Sequence, residues 1–333
     1  MTEKRVLLKD IARELGVSVT LVSFVLSGKE KEQRVGKEIA EKIKQVAERM
    51  NYRPNLLAQS LRNGRTYTIG FIVADISNPF FARLARVIEC RANELGYSVV
   101  FANSNEDNAQ FKKIISNLRS KYVDGFIIVP IEHSQETILK LQQEGVNFVL
   151  LDRYFPQIDT SYVAIDNYTA AYNTTRLLLE RGCVSPLFIA YKSDLIHMTE
   201  RKRGFLDAVA AAGSKVKGEI EEVRFASLAS EMKVVIKNRT SNPKQHDCIF
   251  FASNTLSQHG LKCLFAEQKK LFEQISIVSF DYNESFDFIN PSIPHLQQPI
   301  EDLGNYAVNI LTDIIEDRQT EPKKETLPTQ LII

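Results

Sequence analysis

Residues able to do chemistry are scattered through this sequence of 333 residues, and their spacing favours binding over turnover. The five histidines, His133, His197, His246, His259 and His295, show no H-E-x-x-H or similar ligand spacing, so no metal is expected. Four cysteines, Cys90, Cys183, Cys248 and Cys263, lie far apart without a C-x-x-C, and are expected as small core thiols in a reducing cytosol. No nucleophile elbow or phosphate loop is present, which leaves no catalytic residue to assign and no cofactor to expect. What remains is recognition chemistry. Ser18, Thr20 and Ser23 put hydroxyls on one short segment, where they can donate to phosphates or base edges. Asn78-Pro79-Phe80-Phe81 opens a helix directly after a strand, the place where open α/β sheets bind ligands, although both rings could equally be core.

Charge divides the chain in the same way. The whole sequence carries 42 Lys+Arg against 41 Asp+Glu, a net of +1 that excludes a supercharged coat protein and an acidic disordered chain. Residues 1–65 nevertheless hold 14 Lys+Arg and 8 Asp+Glu, a balance of +6, which leaves −5 for the remainder. A polyanion rewards clustered cations, so the head is the part to suspect of touching phosphate.

The elements that must position these groups follow from periodicity. Leu8, Ile11, Ala12 and Leu15 recur at helical spacing and stop at Gly16, where a left-handed backbone costs least. Ser18 is a good N-cap for a second helix, Val19 to Leu26, and Lys29 to Gln33 form a charged wing. A third helix spans about 36–50, with Ile39, Ile43, Val46, Ala47 and Met50 on one side. From Tyr67 onward the pattern changes to short apolar strands alternating with amphipathic helices. Strands are expected at 68–73, 98–101, 124–129, 146–151, 187–190, 248–251 and 275–280, and about ten in all. That number exceeds what one open sheet usually needs, and two doubly wound subdomains with a cleft between them fit better. No leading apolar h-region and no run of about 18 apolar residues occurs, so neither export nor a membrane span is expected.

A short basic bundle with Ala12, Gly16, Val17 and a Ser-capped second helix matches a helix-turn-helix, whose second helix lies in the major groove. The text from Leu8 to Arg65 (LKDIARELGVSVTLVSFVLSG, then NYRPNLLAQSLRNGRT) resembles the lactose/galactose repressor (LacI/GalR) family of bacterial transcription regulators. The likeness continues into IGFIVADISNPFFARLARVIE and YVDGFIIVP and loosens after residue 190. It implies that Val19 and Thr20 are the first base-contacting side chains. Phe24 stands where the family usually carries a polar reader, so contact there would shift to a thymine methyl unless the ring packs inward. Leu21 replaces a common Thr and is expected to pack or lie near the backbone. The family's hinge orders when two protomers pair on DNA. Here it would place Asn55 and Ala58 at the duplex and wedge Leu61 between base steps of the minor groove, linker filler being the alternative for Leu61.

In the body the resemblance implies an effector site. Arg201 matches the residue that grips effector hydroxyls or carboxylates, and Asp281 an acceptor opposing it across the cleft, with a buried structural ion pair as the alternative. Phe80, Phe81, Asp152, Arg153 and Asn254 complete the lining, with His197 a further candidate and Asp166, Asn167 and Phe225 as supporting or lining groups. Thr255 departs from the family's usual Asp, which leaves the ligand class open.

The fold expected is therefore an N-terminal all-α helix-turn-helix head plus an α/β periplasmic-binding-protein-like core of two doubly wound subdomains. The expected boundaries are 1–51 for the DNA-binding domain, 52–65 for the hinge and 66–333 for the effector and dimerisation core. Within the core, the N-subdomain is placed at about 66–165 and 297–322, the C-subdomain at about 166–293 and 323–333. The expected protein is a cytoplasmic homodimeric repressor, not an enzyme, that binds a pseudo-palindromic operator and a sugar or sugar-derived effector. No extra tetramerising coil is expected, because the C-terminus lacks sustained heptads. A cytosolic solute-binding module and a DNA-architectural protein without effector are the competing readings. If the basic head binds DNA, operator affinity should fall steeply between 50 and 200 mM salt, by roughly 10³-fold or more. Effector affinity measured over the same range should barely move.

Overall fold

The computed structural model describes residues 6–52, 64–240, 246–267, 272, 275–289 and 292–333. Contacts divide the chain into a unit ending at Thr66 and a second running from Tyr67 to Ile333. In the first unit, α1 (Leu8–Leu15), α2 (Val19–Leu26) and α3 (Lys37–Arg49) enclose a small core around Ile11, Val22 and Ile43, all fully buried. Gly16 takes the left-handed conformation (φ 64°) that the tight α1–α2 turn demands, and its N–H donates to the Ala12 carbonyl. Ser18 then caps α2 by accepting the Leu21 N–H at 3.1 Å. This is the turn geometry expected of a helix-turn-helix.

The second unit contains two six-stranded sheets. The first is built from β1 (Thr68–Val73), β2 (Ser98–Asn103), β3 (Gly125–Ile128), β4 (Phe148–Leu151), β5 (Tyr162–Ile165) and β11 (Lys324–Leu327), in the order β11-β5-β4-β3-β1-β2. The second contains β6 (Pro186–Tyr191), β7 (Glu219–Val223), β8 (Cys248–Phe251), β9 (Ser276–Phe280), β10 (His295–Gln297) and β12 (Gln330–Ile332), in the order β12-β10-β9-β8-β6-β7. Every pairing is parallel except β10 with β12. The central strands β3, β4 and β8 are buried along their whole length, as unbroken apolar runs covered by helices on both faces must be.

The helices that position the cleft are α4 (Pro79–Glu94), α5 (Asn108–Ser120), α6 (Gln135–Gln143) and α11 (Ile300–Ile315) in the first lobe. Their counterparts in the second are α7 (Asn167–Glu180), α8 (Ile196–Ala211), α9 (Leu228–Thr240) and α10 (Asn254–Glu267). The chain passes between lobes after β5, after β10 and again after β11. The last crossing corrects the expected boundary: residues 324–327 pair with β5 in the first sheet, so only the end of the segment 323–333 belongs to the second lobe. Polar composition hid this, because an edge strand need bury little.

A second correction concerns the cysteines. Cys183 and Cys248, expected as separate core thiols, are joined as a disulfide across 65 residues of sequence. Cys183 lies in the turn between α7 and β6, while Cys248 begins the neighbouring strand β8, opposite Pro186. Sheet pairing thus brings together residues that sequence spacing keeps apart. Cys90 and Cys263 are not part of this disulfide.

The close approach of α7 and α8 rests on Gly204, where an added Cβ would run into the Tyr168 carbonyl oxygen and crowd the Tyr172 N–H. Gly204→Ala should therefore push α8 off α7 and lower stability by about 1 to 3 kcal/mol, read by thermal or urea denaturation. An unchanged midpoint would show that the two helices can separate freely.

Candidate functional site

The carboxyl ends of both sheets face a cavity of about 460 Å³ between the lobes, within the usual range for a small-molecule site. The two lobes contribute to it from equivalent positions. Asp152 follows β4 and Asp281 follows β9, each the fourth strand when counted from the β2 or β7 edge. Both adopt φ 67°, and each donates its N–H to the next strand, Asp152 to Val163 and Asp281 to Leu296, at 2.9 and 3.0 Å. Asp tolerates this left-handed backbone better than most residues, and the bend turns each carboxylate off its strand.

Arg201 on α8 is buried and lies 3.6 Å above the Phe280 ring. Its Nε donates to Asn167 Oδ1 and its Nη1 to the Ala252 carbonyl, both at 2.7 Å. Asn167, expected as a supporting group, therefore holds the arginine from the first turn of α7. Asp281 instead accepts from Gln298 Nε2 at 2.6 Å. The expected cross-cleft partnership needs correction on two counts. Arg201 and Asp281 both belong to the second lobe, and among the described residues no ion pair joins Arg201 to a carboxylate. The group that faces them from the first lobe is Asp152-Arg153. Arg153 donates to Glu106 at 2.8 Å and to the Pro130 carbonyl at 3.2 Å, while its Nε lies 3.5 Å from Asp152 without a hydrogen bond.

Burial governs the electrostatics. It pushes the Asp281 carboxyl up to about 6, against the opposing pull of Arg201 and the Gln298 N–H. Burial also raises the Asp152 carboxyl, partly offset by Arg153 and Arg201. His197 is driven well below its ordinary range by burial and by the adjacent Arg153 and Arg201 charges, so it is neutral and its unpartnered Nδ1 adds no charge. Burial works against the Arg153 charge, yet Glu106 and Asp152 outweigh it and raise its pKa. Three buried polar atoms in the lining have no partner among the described residues: Arg153 Nε, His197 Nδ1 and Gln298 Oε1. Unspent hydrogen-bonding capacity of this kind is what a polar ligand would satisfy.

The other expected lining residues divide. Phe80 and Phe81 are buried and edge-on to each other, 5.1 Å between centroids, and both border the cavity while belonging to the first lobe's core. Asn254 does not line it. It is fully buried, and its Nδ2 donates to Asn78 Oδ1 at 3.0 Å, a bond that joins the lobes. Thr255 lines the cavity and donates to Asn254 Oδ1. Asp166 caps α7, and Phe225 lies half-open at the rim, its ring 5.9 Å from Tyr191. Glu106, Tyr191, Ser253 and Gln298 were missed. Glu106 carried no sequence signal, whereas Gln298, in the crossing just after β10, could have been found from its place at a lobe boundary.

In the head, Ser18, Val19 and Thr20 are exposed at the start of α2, and Ser23 and Phe24 are half-buried. Leu21 packs against the head's core and Phe24 is not among the side chains doing so, which favours an outward ring. Asn55, Ala58 and Leu61 lie outside the described residues.

Residues 66–333 match the family model for periplasmic binding proteins and the sugar-binding domain of the LacI family, and residues 7–55 match that for bacterial regulatory proteins of the lacI family. The chain belongs to the LacI family. The ribose operon repressor of Halalkalibacterium halodurans is 30% identical over 331 residues, covering 98% of this chain and 95% of that protein. Catabolite control protein A of Staphylococcus epidermidis is 28% identical over 325 residues, 97% of this chain and 96% of the relative. Among solved structures, the cellobiose complex of the transcriptional regulator CelR superposes with a TM-score of 0.70 at 24% identity, over 99% of both chains, which supports the shared fold. As a LacI-family member, the chain is a DNA-binding transcriptional regulator with a helix-turn-helix head and a two-lobed core. No described helix is long and apolar enough to cross a membrane.

The raised Asp281 value fixes a pH test. Its ordinary value is 3.8 and its folded value about 6, so the folded chain holds this proton more tightly. The group's contribution to stability is complete below the ordinary value and disappears as pH rises through about 6, reaching at most about 3 kcal/mol. Asp281→Asn cannot ionise. Its ligand-free Tm relative to the native chain should therefore rise by several degrees between pH 5 and pH 8, and a constant offset would assign the titration elsewhere.

Proposed function

We propose that this chain is a cytoplasmic homodimeric repressor of a pseudo-palindromic operator, and that a neutral sugar held between its lobes sets operator affinity. Residues 1–51 read the major groove through Ser18, Val19, Thr20, Ser23 and Phe24. Residues 52–65 form the hinge, with Asn55 and Ala58 at the duplex and Leu61 as the minor-groove wedge. Residues 66–333 sense the effector and pair the protomers. A change of lobe angle alters the spacing of the two hinges, and with it the population able to insert both wedges. Coupling of about 1 to 3 kcal/mol gives a 5- to 150-fold change in operator affinity.

The observation that carries the effector class is the cleft's balance of charge. Six carboxylates and four cations line it. Arg153 is already engaged by Glu106 and Asp152, Arg224 by Glu231, and Arg201 by Asn167 and Ala252. A phosphate or carboxylate would enter beside Asp152 and Asp281, where the lining cations without an ion pair among the described residues are the exposed Lys192 and the buried Arg201, whose Nε and Nη1 are already spent on Asn167 and Ala252. A polyol donates its hydroxyls to those carboxylates and accepts from Arg153 Nε, with the Phe80 and Phe81 rings bordering its apolar face. The name of the ribose operon repressor makes ribose the first sugar to try.

Thermal-shift titration of the full chain should separate the classes, using D-ribose, other neutral pentoses and hexoses, a sugar phosphate and a sugar acid. A neutral sugar should raise Tm, and Asp152→Asn should weaken its binding about tenfold or more. Stabilisation by phosphorylated or acidic sugars alone would refute the neutral-sugar assignment.

A further inference from the structure

The Cys183–Cys248 bond stands at the end of the second lobe away from the cleft, yet the two elements it joins are those that hold Arg201. Cys183 follows α7, whose first residue, Asn167, accepts from Arg201 Nε. Cys248 begins β8, which runs into Ala252, whose carbonyl accepts from Arg201 Nη1. The Asp247 carboxylate tightens the same corner. It accepts from the Val184 N–H at 2.7 Å and the Ser185 N–H at 3.0 Å, and its Oδ1 lies 3.0 Å from Cys183 Sγ. A covalent tie at one end of the α7 and β8 pair therefore constrains where the other end places the guanidinium.

We propose that Cys183 and Cys248 form a reversible thiol–disulfide switch that sets the rigidity of the Arg201 side of the cleft. The function assigned to the switch rests on the reading of that cleft as the effector site. A DNA-binding regulator works in a compartment that keeps thiols reduced, where cysteine pairs that do close serve redox sensing more often than architecture. Access is unequal. Cys183 borders a cavity of about 840 Å³ together with Asp247, Ile275, Ile293 and Ile333, whereas Cys248 is fully buried. Cys183 is thus the sulfur that a small peroxide meets first.

With the disulfide reduced, a Cys183 S–H at this position would donate to Asp247 Oδ1, 3.0 Å from the sulfur. Asp247 takes that proton as the Cys183 sulfur attacks one peroxide oxygen and the O–O bond breaks, and the proton passes to the departing hydroxide, so that sulfenic acid and one water form for hydrogen peroxide. The Cys248 thiolate then attacks the sulfenic sulfur, an S–S bond forms, and the hydroxyl leaves as a second water. Two thiols lose two electrons to one peroxide, and their two protons end in the waters. A dithiol reductant reverses the reaction by exchange.

The full-length protein, without sugar or DNA, should be compared after treatment with dithiothreitol and after hydrogen peroxide. Peroxide should make the chain two hydrogens lighter and leave Cys90 and Cys263 as the cysteines open to alkylation. The oxidised form should melt roughly 5 to 10 °C higher. Amide hydrogen exchange across 167–180 and 252–257 should speed several-fold on reduction, and Cys183→Ala should show the fast rates in either condition. Four alkylatable cysteines after peroxide would overturn the proposal, as would a disulfide that forms without changing exchange in those two segments. Since no sugar is present, failure of the effector reading leaves these outcomes unaltered.

Discussion

A buried guanidinium is the constraint on which the second lobe is organised. Taking the Arg201 charge out of water costs several kcal/mol unless its hydrogens are satisfied and its face is covered. The chain answers with three separate elements: the first residue of α7, the residue after β8 and the ring that ends β9. None of these contacts is an ion pair. Burial lowers the arginine's pKa, and the nearby Asp281 and Asp152 charges counter it, so the group stays protonated while its charge remains largely uncompensated by direct contact. That residual positive field is what allows two buried carboxylates to face one small cavity. It also explains the tight α7–α8 approach at Gly204, because α8 must carry Arg201 deep enough to reach both acceptors.

The second constraint is the repeated sheet. Two mainly parallel sheets with equivalent strand orders each end their fourth strand on an Asp with positive φ, so the carboxylates meet across the cleft as near equivalents. Their surroundings differ. Asp152 has Arg153 beside it in an ion-pair network with Glu106, whereas Asp281 has a neutral amide partner, Gln298. A ligand therefore meets a partly neutralised wall on the first lobe and a more proton-sensitive one on the second. The two walls of the cleft thus differ more in their charge partners than in their backbone geometry.

Sequence legibility followed the same physical lines. The head was readable because each device is local: a left-handed Gly16, a Ser18 cap and an apolar stripe all lie within a few residues of what they control. Core strands such as β3, β4 and β8 announced themselves as unbroken apolar runs. Of the edge strands, β2 was expected, whereas β7 (EIEEV) and β11 (KETL), which bury little, were not, and β11 carried the last lobe crossing with it; the short interior strand β5 (YVAI) was not expected either. At the site, strand-end residues such as Asp152 and Asp281 could be placed from their neighbours, but partnerships could not. Arg201 prefers neutral acceptors to Asp281, Asn254 bridges the lobes to Asn78, and the two cysteines meet through sheet pairing. Each of these depends on contacts between residues far apart in the chain, which periodicity does not encode.

The lobe interface explains why so small a ligand could control so large a response. Around the cleft, direct bonds between lobes include Asn254 to Asn78, the Asp194 N–H to Glu132, and the Arg83 stack on Tyr282 with its 3.7 Å approach to Glu284. The last pair is exposed and contributes about 1 kcal/mol or less. The neutral Asn254–Asn78 hydrogen bond adds about 1 kcal/mol, and the exposed one to the Glu132 carboxylate is of similar order. Apart from the crossing chain segments, these bonds joining the lobes are together of the same order as one well-held ligand contacting both. Asn254 is the telling case, since its buried Nδ2 donates to the opposite lobe and would lose that partner on opening. A sugar that bonds Asp152 on one side and Asp281 on the other acts in parallel with that amide. Its free energy then enters the angle between the lobes directly, with no further element needed to transmit it.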